Sequence, residues 1–338
     1  MSNYIATDTD LAAVASAIRT KGGTSAQLEF PSGFVSAVDA ISSGWTDKQI
    51  LTANAPSGEV SITLSANLPQ YAVSGRTKIT KLTIDFGSSY GFTATYGYAV
   101  VANTGCTSYT FIGSGNKTIP AYTFANNTAH TATFRGSWGQ IGQNAFRPVS
   151  GISAGAITTL DYSSGTGNID ANAFYSCNSL SKIIIRSTSV KALGNTSAFT
   201  TSNRWKSGGS GGTLYVPQRL ISSYQSASNW STILGYSTNN ITSIEGSAYE
   251  TKYADGTDCD IRYINKTLTN CTSSSTANQT TIGSAYTTTI TASSGYTLDS
   301  VTVMMNGVDV TSSVYDNTTG VISIASVDGS IFITATAS

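Results

Sequence analysis

Charge is the first thing this 338-residue chain has little of: 11% of its residues are charged, 18 basic against 18 acidic, for a formal net charge of zero. An ordinary soluble domain carries ~25%. Balanced charge without a Lys/Arg block leaves no electrostatic footprint for nucleic acid or an anionic membrane surface. No apolar run approaches the ~18 residues that a membrane-spanning helix needs. The single histidine, His130, removes most zinc sites and histidine-dependent triads. Four cysteines (Cys106, Cys177, Cys259 and Cys271) are too few for a disulfide scaffold. The opening residues lack a basic region and are interrupted by Asp8 and Asp10, so they do not read as a signal peptide.

What replaces the charge is Ser, Thr, Asn and 32 glycines. Such residues hydrogen-bond their own backbone and favour strands and turns over exposed helix. A hydrophobic content of 40% still supports packed cores, and the length suggests two to three domains.

Residues 1–43 differ from the rest. Asp8 or Asp10 caps a predicted helix with Leu11, Val14, Ala15 and Ile18 on one face, and Gly22-Gly23 ends it. A second predicted helix opens near Phe30-Pro31 and carries Phe34, Val38 and Ile41. Two helices this short bury little apolar area alone. They read as an N-terminal cap or as a docking module whose contacts are Leu11, Ile18, Phe30, Phe34 and Val38. Ser42-Ser43-Gly44 is a linker, and the alternation at Val60–Leu64 predicts a lead-in strand.

From about residue 79 the sequence repeats. Strand-like triplets recur at Leu82, Tyr109, Ala132, Thr159, Ile183 and Leu214, spaced by about 23 to 31 residues. Between them an Ile or Leu is followed five or six residues later by Phe: Ile119 and Phe124, Ile141 and Phe146, Ile169 and Phe174, Leu193 and Phe199. A period in the twenties with one short strand per unit marks a leucine-rich-type solenoid, in which stacked neighbours bury what one unit cannot. Pro217 opens a helical segment through Trp230 to Ile233, and Ile241 and Ile244 give a closing strand, so the lead-in and solenoid span 44–247. Residues 248–258 read as a polar linker. Residues 259–338 hold strands at Tyr286–Ala292, Leu298–Met305, Val321–Ile324 and Ile331–Ala337, with an Asn306-Gly307 hairpin turn, and predict an immunoglobulin-like β-sandwich. The expected fold class is therefore mainly β: helical module, repeat solenoid, terminal sandwich.

Reactive chemistry is scarce. His130 sits in a loop before a strand, without a recognisable nucleophile. Cys177 and Cys106 read as core thiols, while Cys259 and Cys271 are either a disulfide or free. Asp255, Asp258 and Asp260 crowd one loop but fail the EF-hand spacing, and Gly208–Gly212 lacks the Lys-Ser/Thr of a phosphate-binding loop. The glutamates lie outside the central repeats, so no carboxylate pair suits glycoside hydrolysis. No metal or cofactor is expected. The candidate binding residues are Tyr96 and Tyr98, which crowd one early repeat, and Arg135, Trp138, Arg204 and Trp205, where tryptophans sit beside basic residues in Gly/Ser-rich loops, because such rings stack on sugars and suit protein interfaces.

Several segments resemble known families. IDANAFYSCNSLSKIIIR, residues 169–186, resembles the BspA-type leucine-rich repeat, and GTLYVPQRLISSYQSASNW, residues 212–230, resembles the segment that closes such arrays. Residues 11–41 resemble an opening module of structural proteins in phages and prophages of Gram-positive gut bacteria, and residues 281–338 a small sandwich at the C-termini of such proteins. The resemblance implies a non-enzymatic virion protein, tail- or baseplate-associated, that contacts other virion proteins through residues 1–43. It further implies a homo-oligomer binding a host-cell glycan or protein through the repeats. A capsid decoration or head-fibre protein and a bacterial surface adhesin are the alternatives it leaves.

Overall fold

The computed structural model describes residues 12–16, 57–69, 72–73, 76–92, 100–101, 105–124, 129–147, 157–165, 167–199, 204–205, 211–235 and 240–338. The chain divides into two compact units, Met1–Trp45 and Thr46–Ser338. In the first unit residues 12–16 are helical. The expected docking residues Leu11, Ile18, Phe30, Phe34 and Val38 lie outside the described residues, as do Tyr96 and Tyr98.

The second unit begins with a parallel sheet. Its strands are β1 (Gly58–Thr63), β2 (Ile79–Asp85), β3 (Ser108–Ile119), β4 (Thr131–Ile141), β5 (Thr159–Ser164), β6 (Asn168–Ile169), β7 (Lys182–Arg186), β8 (Ala192–Leu193), β9 (Thr213–Val216) and β10 (Asn240–Ser243). The order is β1-β2-β3-β4-β5-β7-β9-β10, with β6 and β8 forming a short side ladder off β4. Every expected triplet is a strand, and Leu82, Tyr109, Ala132, Leu160, Ile183 and Leu214 are register neighbours. Successive strand residues point to opposite faces, so these residues and their i+2 partners Ile84, Phe111, Phe134, Tyr162, Ile185 and Val216 fill the interior.

Two further columns complete that interior. Ile119, Ile141, Ile169 and Leu193 pair along the side ladder. The Phe column is stacked: ring centroids lie 4.5 Å apart for Phe124–Phe146, 5.0 Å for Phe146–Phe174 and 5.3 Å for Phe174–Phe199. Each such pair adds ~0.5–1.5 kcal/mol beyond burial. The backbone ahead of each Phe explains the repeated Asn-Ala-Phe. Asn144 and Asn172 take φ of 59° and 56°, the left-handed region that Asn tolerates, and Tyr122 does the same at 61°. That bend aims the next amides at the following rung: Phe124 N donates to Ala145 O, Phe146 N to Ala173 O and Phe174 N to Ala198 O, at 2.8–2.9 Å. Close stacking also dictates Gly136 (φ 95°), where a Cβ would sit 2.1 Å from the Gly113 carbonyl oxygen.

The end of the column is closed by the predicted helical segment. It is two helices, Ile221–Ser226 and Trp230–Gly235, separated where Ala227 turns extended and Asn229 takes φ 65°. Tyr224 and Trp230 pack edge to face at 5.5 Å, Trp230 Nε1 donates to Lys191 O, and the Lys191 amide donates to Tyr224 Oη. The Lys191 side chain is buried, its ammonium donating to Gly139 O and lying 5.1 Å from the Tyr162 ring centre.

The C-terminal part is a two-sheet sandwich of β11 (Ile261–Thr269), β12 (Cys271–Ser273), β13 (Gln279–Thr281), β14 (Tyr286–Ala292), β15 (Leu298–Met305), β16 (Val308–Asp309), β17 (Tyr315–Asp316), β18 (Val321–Ile324) and β19 (Ile331–Ala337). The sheets run β13-β11-β19-β15-β16 and β12-β14-β18-β17, around Ile264, Ile290, Val303, Ile322 and Ile333. Asn306 and Gly307 both take positive φ, which closes the β15–β16 hairpin as expected. All four cysteines are free, so Cys259 and Cys271 are unbonded, and Cys106 and Cys177 are core thiols. Burial pushes the Cys177 thiol up to about 12.

Residues 248–258 are not a free linker. They pack across the repeat sheet, and a hydrogen-bond chain ties the solenoid's end to the sandwich: Glu245 accepts from the Gln218 amide, Ser243 Oγ and Asn265 Nδ2, while Asn265 Oδ1 accepts from the Arg219 amide. Glycine and polar content suggested a linker; the aromatic and acidic side chains within it make it a packed strap.

Two outcomes test this packing. Phe146→Ala removes the middle of the stacked column and should cost ~3–5 kcal/mol in denaturant unfolding, whereas Phe332→Ala, on a half-buried outer position of β19, should cost much less. Burial lowers the Lys191 ammonium to about 8, while an unfolded lysine titrates near 10.4. The fold therefore bears the buried charge below pH ~8 and is relieved of it as pH rises toward 10. Thermal unfolding followed against pH should show stability climbing across that window. Lys191→Met should abolish the climb.

Candidate functional site

The outward residues of the repeat sheet form rows set by the same register. The central row is Ser61, Thr83, Thr110, Thr133, Asp161, Ile184, Tyr215 and Thr242. A second row holds Asp85, Ile112 and Arg135, continued by the pair Ser163 and Arg186. On a leucine-rich-type solenoid this outward face is the surface available for recognition, and here it is divided in two.

Over β3 to β9 the strap covers it. Arg186 and Asp161 form a bidentate ion pair, Nε to Oδ1 at 2.8 Å and Nη2 to Oδ2 at 3.0 Å, with both side chains fully buried. Strap groups complete the pair: Arg186 donates to the carbonyls of Tyr249 and Lys252 and to Cys259 Sγ, and the Ala254 amide donates to Asp161 Oδ2. Burial raises the Asp161 carboxyl above the ordinary range, against the pull of Arg186. For Arg186, burial disfavours charge, but attraction to Asp161 outweighs it and holds the guanidinium above its ordinary value. The Tyr253 ring lies 4.8 Å from both the Arg135 and the Arg186 guanidinium carbons. Two residues on, Asp255 accepts a 2.6 Å hydrogen bond from Thr110 Oγ1. Beneath the strap, Thr133 Oγ1 and Ser163 Oγ are buried without a partner.

The rungs of β1 and β2 are open. Glu59, Ser61, Thr63 and Lys81 are exposed and Thr83 and Asp85 half-exposed; Glu59 and Lys81 pair at 2.6 Å in solvent. The face is hydroxyl-bearing, with mixed charge at its margin.

The aromatic candidates fare differently from expectation. Trp138 is not a surface platform: it is fully buried, packed edge-on against Phe86 and Phe134, with Nε1 donating to Arg135 O. Trp205 is also fully buried and extends the stacked column past Phe199 at 5.6 Å, its Nε1 donating to Leu180 O. Both rings turn inward because the packed Phe columns give them apolar and aromatic neighbours and a carbonyl for each indole N–H. Arg204 donates to Gly211 O. Arg135 stays half-buried on the outer face, engaged with Tyr253. His130 is exposed, and Asp255 and Asp258 are engaged by Thr110 and Lys252 respectively. Among the described residues no group of three or more His, Cys, Asp or Glu is placed to hold a metal ion. Nor is any described helix long and apolar enough to cross a membrane.

Sequence reasoning missed Asp161, Arg186 and Tyr253. The signal was present: an acid and an arginine at outward strand positions, and two tyrosines, Tyr249 and Tyr253, in a nominal linker.

A parallel one-strand-per-turn sheet over stacked Ile and Phe columns defines a leucine-rich-repeat protein, an architecture that suggests a surface or adhesion-type protein. The chain matches the BspA type leucine rich repeat region in six copies, over residues 60–153, 117–254 and 153–281. It belongs to that family. No curated protein and no solved structure matches it.

Removing one member of a buried ion pair strands the other, at a cost of ~3–5 kcal/mol. Arg186→Leu should therefore lower the thermal midpoint strongly. Arg135→Leu, which loses only one side of the Tyr253 contact, should lower it slightly.

Proposed function

We propose that the chain is a non-enzymatic structural protein of a phage virion, tail- or baseplate-associated, which presents the open β1–β2 rungs of its repeat sheet to a host-cell glycan or protein. The observation that carries this reading is the repeat sheet itself, whose open rungs on β1 and β2 present Ser, Thr and charged side chains, Glu59 and Lys81 among them as a pair. Residues 1–43 serve as attachment to neighbouring virion proteins, in keeping with their resemblance to the opening module of such proteins. The sandwich, tied to the solenoid through Glu245 and Asn265, acts as a fixed extension. Weak contacts of this kind gain strength when many copies act together on one particle.

Deleting residues 1–43 should abolish incorporation into particles, scored by immunoblot of purified virions, while circular dichroism of the deleted protein stays β-rich. Full-length protein labelled for flow cytometry should bind host cells. Thr83→Arg should reduce that binding at least ~10-fold without moving the thermal midpoint, since a surface change away from packing alters stability by at most ~0.5 kcal/mol. Undiminished binding removes the open face from the assignment. Copies imaged at lattice positions on the shell would favour a capsid decoration or head-fibre role.

A further inference from the structure

We propose that the sheet face beneath the strap is a peptide-recognition site held by its own chain: it takes a tyrosine ring followed two residues later by a carboxylate, and residues 252–258 are its cis occupant. The inference deepens the adhesion reading but concerns the covered rungs, so its failure would leave the open-face assignment untouched.

Three observations carry it. The first is that the tip of the strap is closed on itself. Tyr253 N donates to Thr257 O, Gly256 N to Tyr253 O and Cys259 N to Thr251 O, and Asp255 Oδ1 accepts from both the amide and the hydroxyl of Thr257. Such a hairpin moves as a body on its two ends.

The second is the chemistry of what it covers. The tip meets the sheet through a ring between two guanidiniums, a carboxylate on a threonine hydroxyl, and backbone groups on the Asp161–Arg186 pair. The apolar cluster of Ile184, Ile244 and Tyr263 lies at the root, where Tyr249 and Ile261 pack, and the tip adds only Ala254 to it. Lifting the tip hydrates polar groups and leaves the root cluster and the inward Ile and Phe columns in place. Apart from the buried Tyr253 ring the contacts of the tip are polar, and they separate at lower cost than an interface built on apolar burial throughout.

The third is an incomplete fit. Thr133 and Ser163, 1% and 2% exposed, offer hydroxyls that no strap group meets. A native occupant that leaves buried hydroxyls unsatisfied forfeits the hydrogen bonds they could make. A trans ligand that engages them holds the face by more contacts than the strap makes, and the strap stands in its way as an autoinhibitory segment.

The tether sets the scale. A segment linked this closely is present at an effective concentration of ~1 mM, so a free peptide with an intrinsic Kd of ~10 µM binds the closed protein about 100-fold more weakly. The test uses the full chain and a fluorescent synthetic peptide with the sequence of residues 249–260, read by anisotropy. Tyr253→Ala/Asp255→Ala removes the ring and the carboxylate from the cis occupant and changes no residue of the face, while the strap's backbone contacts to Arg186 and Asp161 remain. This double variant should bind the peptide at least 10-fold more tightly than the wild type, and adding Arg135→Ala should reverse the gain. A folded double variant that binds no better than wild type, or binds a scrambled peptide equally, overturns the proposal. Should the double variant fail to fold, hydrogen exchange on the wild type decides. The Tyr253, Ala254 and Thr257 amides should exchange through an opening smaller than global unfolding, well before those of Phe146 and Phe174. Equal protection would make the strap a permanent part of the fold and the proposal wrong.

Discussion

No rung of this solenoid can stand alone. Each of the four rungs that start at β3, β4, β5 and β7 supplies one inward strand pair, one Ile or Leu and one Phe, which are buried in part by the next rung. The left-handed turn at Asn144 and Asn172 is what makes this work, because it places the Phe ring on the column and its amide on the neighbour's carbonyl in one bend. Packing and backbone satisfaction are thus the same constraint. The ends are where it fails, and at the C-terminal end Trp205, Trp230 and Tyr224 supply the missing surface.

The strap shows a second use of the same scaffold. The outward rows mix short polar residues with Arg135, Ile184, Arg186 and Tyr215, and over β3 to β9 the chain itself furnishes what lies against them. An ion pair buried between sheet and strap contributes little net stability compared with apolar packing, because desolvation offsets attraction. Its consequence is positional: Arg186 reaches two strap carbonyls, a thiol and Asp161 at once, which fixes where residues 249–259 cross the sheet. Division of the face into covered and open rungs follows from that placement.

How much of this was legible beforehand depended on whether a feature is periodic. The strand triplets, the Ile and Phe columns and the four sandwich strands from Tyr286 to Ala337 repeat or alternate, and their positions were visible in the sequence. The role of Trp138 and Trp205 was not. Their immediate neighbours are Gly, Ser, Asn, Arg and Lys, which suggests solvent, and only the stacking of rungs shows that those positions face inward. The strap was missed for a related reason. Asp161 and Arg186 lie 25 residues apart and meet diagonally across the neighbouring strands β5 and β7, and Tyr253 joins them from 67 residues beyond Arg186. Local composition carries no trace of such a meeting.

The pairing of β11 with β19 has a mechanical side. These are the strands through which the sandwich is entered and left, and they run parallel, with Ile264 opposite Ile331 through to Thr269 opposite Thr336. Tension between the start of β11 and the chain's far end therefore loads six neighbouring residue pairs in shear. They must give way together, whereas an antiparallel hairpin pulled from its two open ends would unzip one pair at a time. A load applied along that axis meets the seam as one cooperative barrier.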